Sequence, residues 1–242
     1  MTALAPVSLD ELNSRAALLD RVDRKYVVPA ERLPELLEWL PEGTAALEIA
    51  GRRQFAYQTC YHDTWDLLTY RLATQRRRRR FKVRTRTYAD QSSWLEVKAS
   101  AGRGRTVKER VEADGLLPWW VGQTLAAAGF TMAPQDWRPC LMAAFDRSTL
   151  LLPAACGVGP ARVTVDANLR WSLPGGCWRE ADIAVVETKS PNAPTAFDHA
   201  LWGLGLRPER FSKYATALAW LRPELPSNRW RRGLARHLAV AG

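Results

Sequence analysis

Lysine and arginine at every second position are the first chemistry this sequence offers. In Arg80-Phe-Lys-Val-Arg-Thr-Arg-Thr-Tyr88, the basic residues Arg80, Lys82, Arg84 and Arg86 alternate with Phe81, Val83, Thr85 and Thr87. Successive side chains of an extended strand point to opposite faces, so these four cations share one side. The same parity joins Glu96 to Lys98, Lys108 to Arg110, Arg162 to Thr164 and Asp166, and Arg21 to Asp23 and Lys25. In Ile183-Ala-Val-Val-Glu-Thr-Lys189, the charged Glu187 and Lys189 continue a face begun by Ile183 and Val185. Guanidinium forks and ammonium point charges are the groups that hold phosphate oxygens. Like charges opposed on neighbouring strands repel by up to about 1 kcal/mol per pair. Such crowding needs an anion or interleaved acids. Asp23, Glu96, Asp166 and Glu187 share faces with the cations, as a channel that also holds a divalent cation requires.

The elements that carry these residues can be read along the chain. Ser8-Leu-Asp-Glu11 is a capping-box pattern that opens a helix through about Leu19. Arg21 to Val28 reads as a strand, and Ala30 to Leu40 as a helix with Leu33, Leu36, Leu37 and Leu40 on one face. Gln54 to Tyr61, Arg80 to Tyr88, Ser93 to Ala99 and Thr106 to Glu112 are strand-like. Leu117 to Ala128 is helical, with Pro118 near its start and Gly129 at its end. Cys140 to Leu151, Ala161 to Trp171 and Ala181 to Lys189 are extended. Ala193 to Leu204, Pro208 to Leu221 and Ser227 to Val240 are helical, which places Lys213 on a helix. A one-sided sheet washed by water satisfies any one of the charged strands. Repetition of the pattern in at least five of them points instead to a closed sheet whose charged faces converge on a shared channel.

Composition bounds the reading. The 242 residues are 47% apolar and 25% charged, with 15 Gly and 15 Pro, which excludes collagen-like and disordered classes. No apolar run is long enough to span a membrane. Asp10, Glu11 and Arg15 interrupt what would be the core of a signal peptide, so a cytoplasmic protein is expected. Cys60, Cys140, Cys156 and Cys177 show no CxxC spacing and His62, His199 and His237 stand apart, which disfavours a zinc site or a disulfide framework. The cysteines read as buried small apolar residues. The net charge is +10, yet the segment from Arg71 to Arg110 alone carries 14 basic and three acidic residues, or +11. The remainder is therefore at −1. A field so concentrated calls for a polyanion: nucleic acid, an anionic membrane surface or a phosphate compound. The eleven tryptophans come without an RNA-binding pattern, and nucleic acid is the weakest of these readings. Neither GxxxxGK[ST] nor GxGxxG occurs, so a nucleotide would be held by its phosphates.

Nine short motifs occur in order: Arg21-x-Asp-x-Lys-Tyr26, Tyr61-His-Asp-Thr64, Val83-Arg-Thr-Arg-Thr-Tyr88, Leu95-Glu-Val-Lys98, Val107-Lys-Glu-Arg110, Phe145-Asp-Arg147, Arg162-Val-Thr-Val-Asp166, Val186-Glu-Thr-Lys189 and Phe211-Ser-Lys-Tyr214. In these the sequence resembles the VTC-domain polyphosphate polymerases, a branch of the triphosphate tunnel metalloenzyme (CYTH-like) superfamily. The resemblance implies an α+β fold: an antiparallel β-tunnel, a closed barrel of about eight strands flanked by helices, over residues 1–222. Residues 223–242 follow as a basic helical tail, which reads as solvated or as resting on anionic lipid. It implies Lys25, Arg84, Arg86, Lys98, Lys108, Arg147, Arg162, Lys189 and Lys213 as phosphate ligands. Lys98, Arg84, Arg86 and Glu187 would be catalytic, with Glu187 and Glu96 on Mn²⁺ or Mg²⁺. Three positions depart from the family pattern: Asp23 stands in place of Glu, Phe145 in place of Tyr and Arg210 in place of Lys.

The activity implied is a metal-dependent transfer of the terminal phosphoryl group of ATP to a polyphosphate chain in the tunnel. Such chemistry needs positioning and charge neutralisation more than covalent participation by the protein. The alternatives are an inorganic or nucleoside triphosphatase of the same fold, or a non-catalytic module binding polyphosphate or inositol pyrophosphate. A membrane-protein partner is also implied, which would place the chain at the inner face of a membrane without a span of its own. In the run Arg76 to Arg80 only part can face inward by parity, leaving Arg77 and Arg79 to solvent or to an anionic partner.

Overall fold

The computed structural model describes residues 4–16, 21–88, 90–102, 105–131, 136–155 and 157–238. Leu19, Arg103, Cys156 and the end of the expected tail helix at Val240 lie outside the described residues. Eleven strands are present among the described residues. Three are short: β1 (Ala5–Val7), β3 (Ala45–Leu47) and β10 (Arg179–Glu180). The other eight are β2 (Val22–Pro29), β4 (Phe55–Thr64), β5 (Arg79–Tyr88), β6 (Ser93–Gly102), β7 (Arg105–Glu112), β8 (Trp137–Leu152), β9 (Ala161–Ser172) and β11 (Ile183–Ser190). They form one sheet in the order β2-β11-β9-β8-β4-β5-β6-β7, and every neighbouring pair is antiparallel.

The helices are α1 (Leu9–Arg15), α2 (Leu33–Glu38), α3 (Leu68–Thr74), α4 (Pro118–Ala127), α5 (Ala196–Gly203), α6 (Ala215–Leu221) and α7 (Arg231–His237). Local chemistry explains their starts. The Ser8 hydroxyl accepts the Glu11 N–H at 3.2 Å and opens α1. Thr195 and Asp198 form a reciprocal capping box at α5. The buried Asp63 carboxylate accepts the N–H groups of Thr69 and Tyr70, two of the unpaired donors of the first turn of α3. Pro118 sits in the first turn of α4, and Gly129 follows it at φ 78°, where a side chain would be strained.

Helices cover both faces of the curled sheet. On the convex side, Leu36 of α2 with Phe197 and Leu201 of α5 pack on Tyr26, Val28, Val163, Val165, Ala184 and Val186. Val121 and Leu125 of α4 pack on Phe81, Val83, Leu95 and Val97. Inside the curve, α6 buries Ala215, Leu218 and Trp220 against Val27, Leu141, Trp171, Ile183 and Val185. Trp230 and Leu238, on either side of α7, belong to this same core, so the basic C-terminal segment packs on the sheet.

Two expectations are corrected here. Among the described residues no hydrogen bonds join β7 to β2, so a closed barrel is not formed by hydrogen bonding. The free edge of β2 is met instead by the chain before α6, where the Glu209 N–H donates to the Lys25 carbonyl at 2.7 Å. That contact also explains the second difference. Pro208 to Tyr214 is not helical, because its backbone follows the sheet edge until Ser212 accepts the Ala215 N–H at 3.1 Å and α6 begins. Lys213 therefore sits in the turn ahead of α6 and not on a helix.

Candidate functional site

The inner faces of the strands enclose a cavity of about 900 Å³. Among the described residues, fifteen arginines and lysines and four carboxylates line it, a net of +11. The register of the sheet explains why its character changes along the strands. On β11, Lys189 and Glu187 lie toward one end, with Val185 and Ile183 toward the other. On β9 and β8, Arg162, Asp166 and Arg147 give way to Leu169, Trp171, Ala143 and Leu141. The apolar end of these strands is the part that α6 fills. On β5 and β6 the basic face continues to the far end, through Lys82, Lys98 and Arg80. The cavity is thus plugged with hydrocarbon on one side and basic along its whole length on the other.

The buried carboxylates each stand among several cations. Glu187 accepts from Lys189 Nζ at 2.7 Å and from Lys25 Nζ. Burial alone would raise its carboxyl pKa, but these two ammonium groups hold it well below the usual range. Glu96, with 2% of its side chain exposed, accepts from Arg84 Nε at 2.7 Å, with Lys108 at 3.4 Å and Arg86 at 4.0 Å. Burial would raise this carboxyl too, yet Arg84, Arg86 and Lys108 bring it down to about 2. Asp166 takes both arms of Arg147, at 2.6 and 2.8 Å, and accepts from Lys213. Asp23, by contrast, is exposed and pairs with Arg21 at 2.8 Å. Buried ion pairs of this kind hold their members in register while contributing little net stability. Here they keep the wall charged without an anion present.

Two further cations, Lys82 and Lys98, form no ion pair among the described residues. Lys82 Nζ donates to Ser212 Oγ at 2.8 Å, while Lys98 is exposed to the cavity. Arg86 is 7% exposed and lies over the Tyr57 ring at 5.3 Å, as does Arg147. Phe145 stacks on Tyr57, and Lys213 lies 4.8 Å from the Phe145 ring centre. The Phe145 ring thus presents its π face to a cation. Arg162 reaches α1, donating to Asn13 Oδ1 at 3.0 Å.

All nine positions expected as phosphate ligands (Lys25, Arg84, Arg86, Lys98, Lys108, Arg147, Arg162, Lys189 and Lys213) line this one cavity, together with Glu96 and Glu187. Arg110, which shares parity with Lys108, does not; it stacks on Trp94 at 4.5 Å. From the five-arginine run only Arg80 lines the cavity. Arg77 Nε donates to Gln75 at 3.2 Å and Arg79 lies over Phe130. Lys82 belongs with the wall by parity although it falls outside the nine motifs, and Arg229 could not have been placed by any local pattern. Cys60 and Cys140 are partly buried, and burial pushes the Cys60 thiol up to about 11 and that of Cys140 to about 12. Cys177 is exposed, against expectation, because it lies in the turn before β10.

The donor set bears on a metal. Among the described residues no three His, Cys, Asp or Glu side chains gather as a metal cage. Glu96 and Glu187 lie on β6 and β11, with four strands of the sheet between them. One wall carboxylate such as Glu187 fits Mg²⁺ or Mn²⁺ as a partner to bound phosphate, since these ions take one or two carboxylates and complete their shells with phosphate and water.

The fold and site define an α+β protein whose antiparallel sheet curls around a strongly basic anion cavity. Residues 20–116 match the family model described as the VTC domain, the family indicated by the motifs. Five of the nine motifs lie within that stretch and four beyond it. No curated protein matches the chain significantly. Among solved structures, a candidate adenylate cyclase from Bacillus halodurans is 12% identical, with a TM-score of 0.47 over 80% of this chain and 94% of that one. A candidate adenylyl cyclase from Hippeastrum, described as having a dominant triphosphatase activity, is 13% identical with a TM-score of 0.43, over 81% and 94%. An inorganic triphosphatase is 12% identical with a TM-score of 0.29, over 74% and 78%.

Proposed function

We propose that this chain is a polyphosphate polymerase-like phosphotransferase, which moves the terminal phosphoryl group of ATP onto a polyphosphate chain held in the basic cavity. The observation that carries the reading is the balance of the lining: fifteen bases to four acids, with each of the four acids engaged by a basic side chain. A triphosphatase that holds metal and water on several carboxylates calls for a more acidic lining, so the acid-poor wall favours chain binding and transfer. A wall of cations suits a reaction in which negative charge shifts among phosphate oxygens.

In this reading Arg84 and Arg86 hold the transferring group by bidentate contacts, and Lys98 supplies an ammonium that is open to the cavity. Lys25, Lys108, Arg147, Arg162, Lys189 and Lys213 hold the flanking phosphates. The bond from the terminal phosphorus to the ADP oxygen breaks, a bond to the chain's terminal oxygen forms, and ADP leaves with the electron pair. Glu187 would hold Mg²⁺ or Mn²⁺, which neutralises phosphate charge when bound. The purified chain with ATP and Mn²⁺ or Mg²⁺ is expected to make acid-labile phosphate of many lengths, read on a gel, with little orthophosphate. Orthophosphate as the sole product would make it a triphosphatase. Tight anion binding that persists in chelator without turnover would make it a binding module.

A further inference from the structure

The chemistry of the inner face changes along the strands that carry it. On β5 the cations Arg80, Lys82, Arg84 and Arg86 are followed at the same parity by Tyr88. On β6 the face runs from Lys98 through Glu96 to Trp94, and on β7 from Lys108 through Arg110 to Glu112. Trp94 stands opposite Arg86 on one side and opposite Glu112 on the other. Tyr88 stands opposite Tyr57 of β4. One end of this face thus gives up its run of cations for rings and a carboxylate.

Arg86 and Tyr57 belong to the cavity lining, and Trp94 and Tyr88 continue the same face beside them. Cross-strand partners have Cβ atoms about 5 Å apart, so Trp94 adjoins the last cation of the β5 wall. The Tyr57 ring is already taken, stacked on Phe145 and approached by Arg86 and Arg147. Tyr88 meets it edge-on at 5.1 Å. Trp94 is half-buried, and the group over its ring is the exposed guanidinium of Arg110, at 4.5 Å. Glu112 is exposed and forms no ion pair among the described residues. Its carboxylate repels phosphate, so this end suits the part of a ligand that carries none.

We propose that Trp94 is the stacking platform for the base of a nucleoside triphosphate whose phosphates lie in the cavity. The inference rests on the cavity binding the phosphates of a nucleotide donor, and adds where the nucleoside sits and which way the molecule points. The base displaces the Arg110 guanidinium, because stacking on an aromatic ring outweighs a cation–π contact at an exposed site. The triphosphate then runs inward past Arg86 and Arg84. Trp94 and Lys98 are four residues apart on β6, about 13 Å of extended strand. That span suits an extended nucleotide, from stacked base to terminal phosphate, and brings Lys98 to the group that is transferred.

The test is calorimetry in chelator, where metal-dependent turnover is silent, with ATP and inorganic tripolyphosphate as probes of the wild-type chain and of Trp94→Leu. Loss of stacking should weaken ATP roughly tenfold and leave tripolyphosphate within about twofold. Trp94→Phe keeps a ring and should restore most of the ATP affinity. Thermal unfolding checks that the leucine variant folds. ATP against CTP on the wild-type chain needs no variant, and the larger purine should bind several-fold tighter. An equal loss for both probes, unchanged ATP affinity, no rescue by phenylalanine, or equal binding of ATP and CTP overturns the platform and leaves the phosphate cavity standing. A wild-type chain that binds neither ATP nor tripolyphosphate overturns both.

Discussion

Anion binding to this cavity should draw protons from solution, and Lys82 is the main reason. Its Nζ, bonded to Ser212, is faced by Arg80 and Arg84 from its own strand, by Lys98 from β6 and by Lys25 from β2. Burial first, and these cations second, push its pKa down to about 7. Burial brings Lys189 down to about 8 despite the attraction of Glu187. At pH 8, about 10% of Lys82 and about half of Lys189 therefore carry charge before binding. A phosphate chain replaces like-charge repulsion by attraction and returns both groups to the charged form, an uptake of about 1.4 protons. The sign follows: because the bound state holds more protons, affinity strengthens as pH falls from about 9 to 6, by roughly an order of magnitude per unit near pH 8. Calorimetry of polyphosphate binding at pH 8, in buffers of differing ionisation enthalpy, counts the protons directly. The Lys82→Met variant should take up about 0.9 fewer. Equal uptake by the two proteins, or no uptake by either, would refute the reasoning.

Other perturbations act on separate parts of the site. Glu187→Gln should abolish metal-dependent turnover while polyphosphate binding persists or tightens, because Lys25 and Lys189 lose their competing carboxylate; full turnover in product assays would remove Glu187 from the metal site. Arg84→Ala should weaken phosphate binding by roughly 1.5 to 3 kcal/mol, as for a lost charged hydrogen bond. It should also lower stability in urea titrations, because Glu96 loses its nearest cation; unchanged affinity would place Arg84 outside the phosphate contacts. Asp63→Ala strands the N–H groups of Thr69 and Tyr70 and the Tyr214 hydroxyl in the core, and should cost about 3 kcal/mol in urea unfolding. A cost below about 1 kcal/mol would show that water replaces the carboxylate.

Strand parity carried most of the site. Alternation is a local property with a period of two, so Arg80, Lys82, Arg84 and Arg86 were bound to share a face wherever β5 lay. The same rule aligned Glu187 with Lys189 and exposed their apolar neighbours Ile183 and Val185 as the start of a plugged end. Alternation alone could not say that these faces meet. That was decided by the curl of an eight-strand path, which brings Lys98 of β6 into the field of Asp23 and Lys25 of β2. Parity kept Arg110 on the face of Trp94 and Glu96 but could not say that the cavity stops short of it, and Pro208 to Tyr214 gave up helix for the open edge of β2. Which cation each carboxylate would take, and the arrival of Arg229 and Arg210 in the cavity lining, depend on contacts between residues far apart in the chain. Local sequence sets the direction of a side chain relative to its own strand; what it meets there depends on how distant strands and loops pack together.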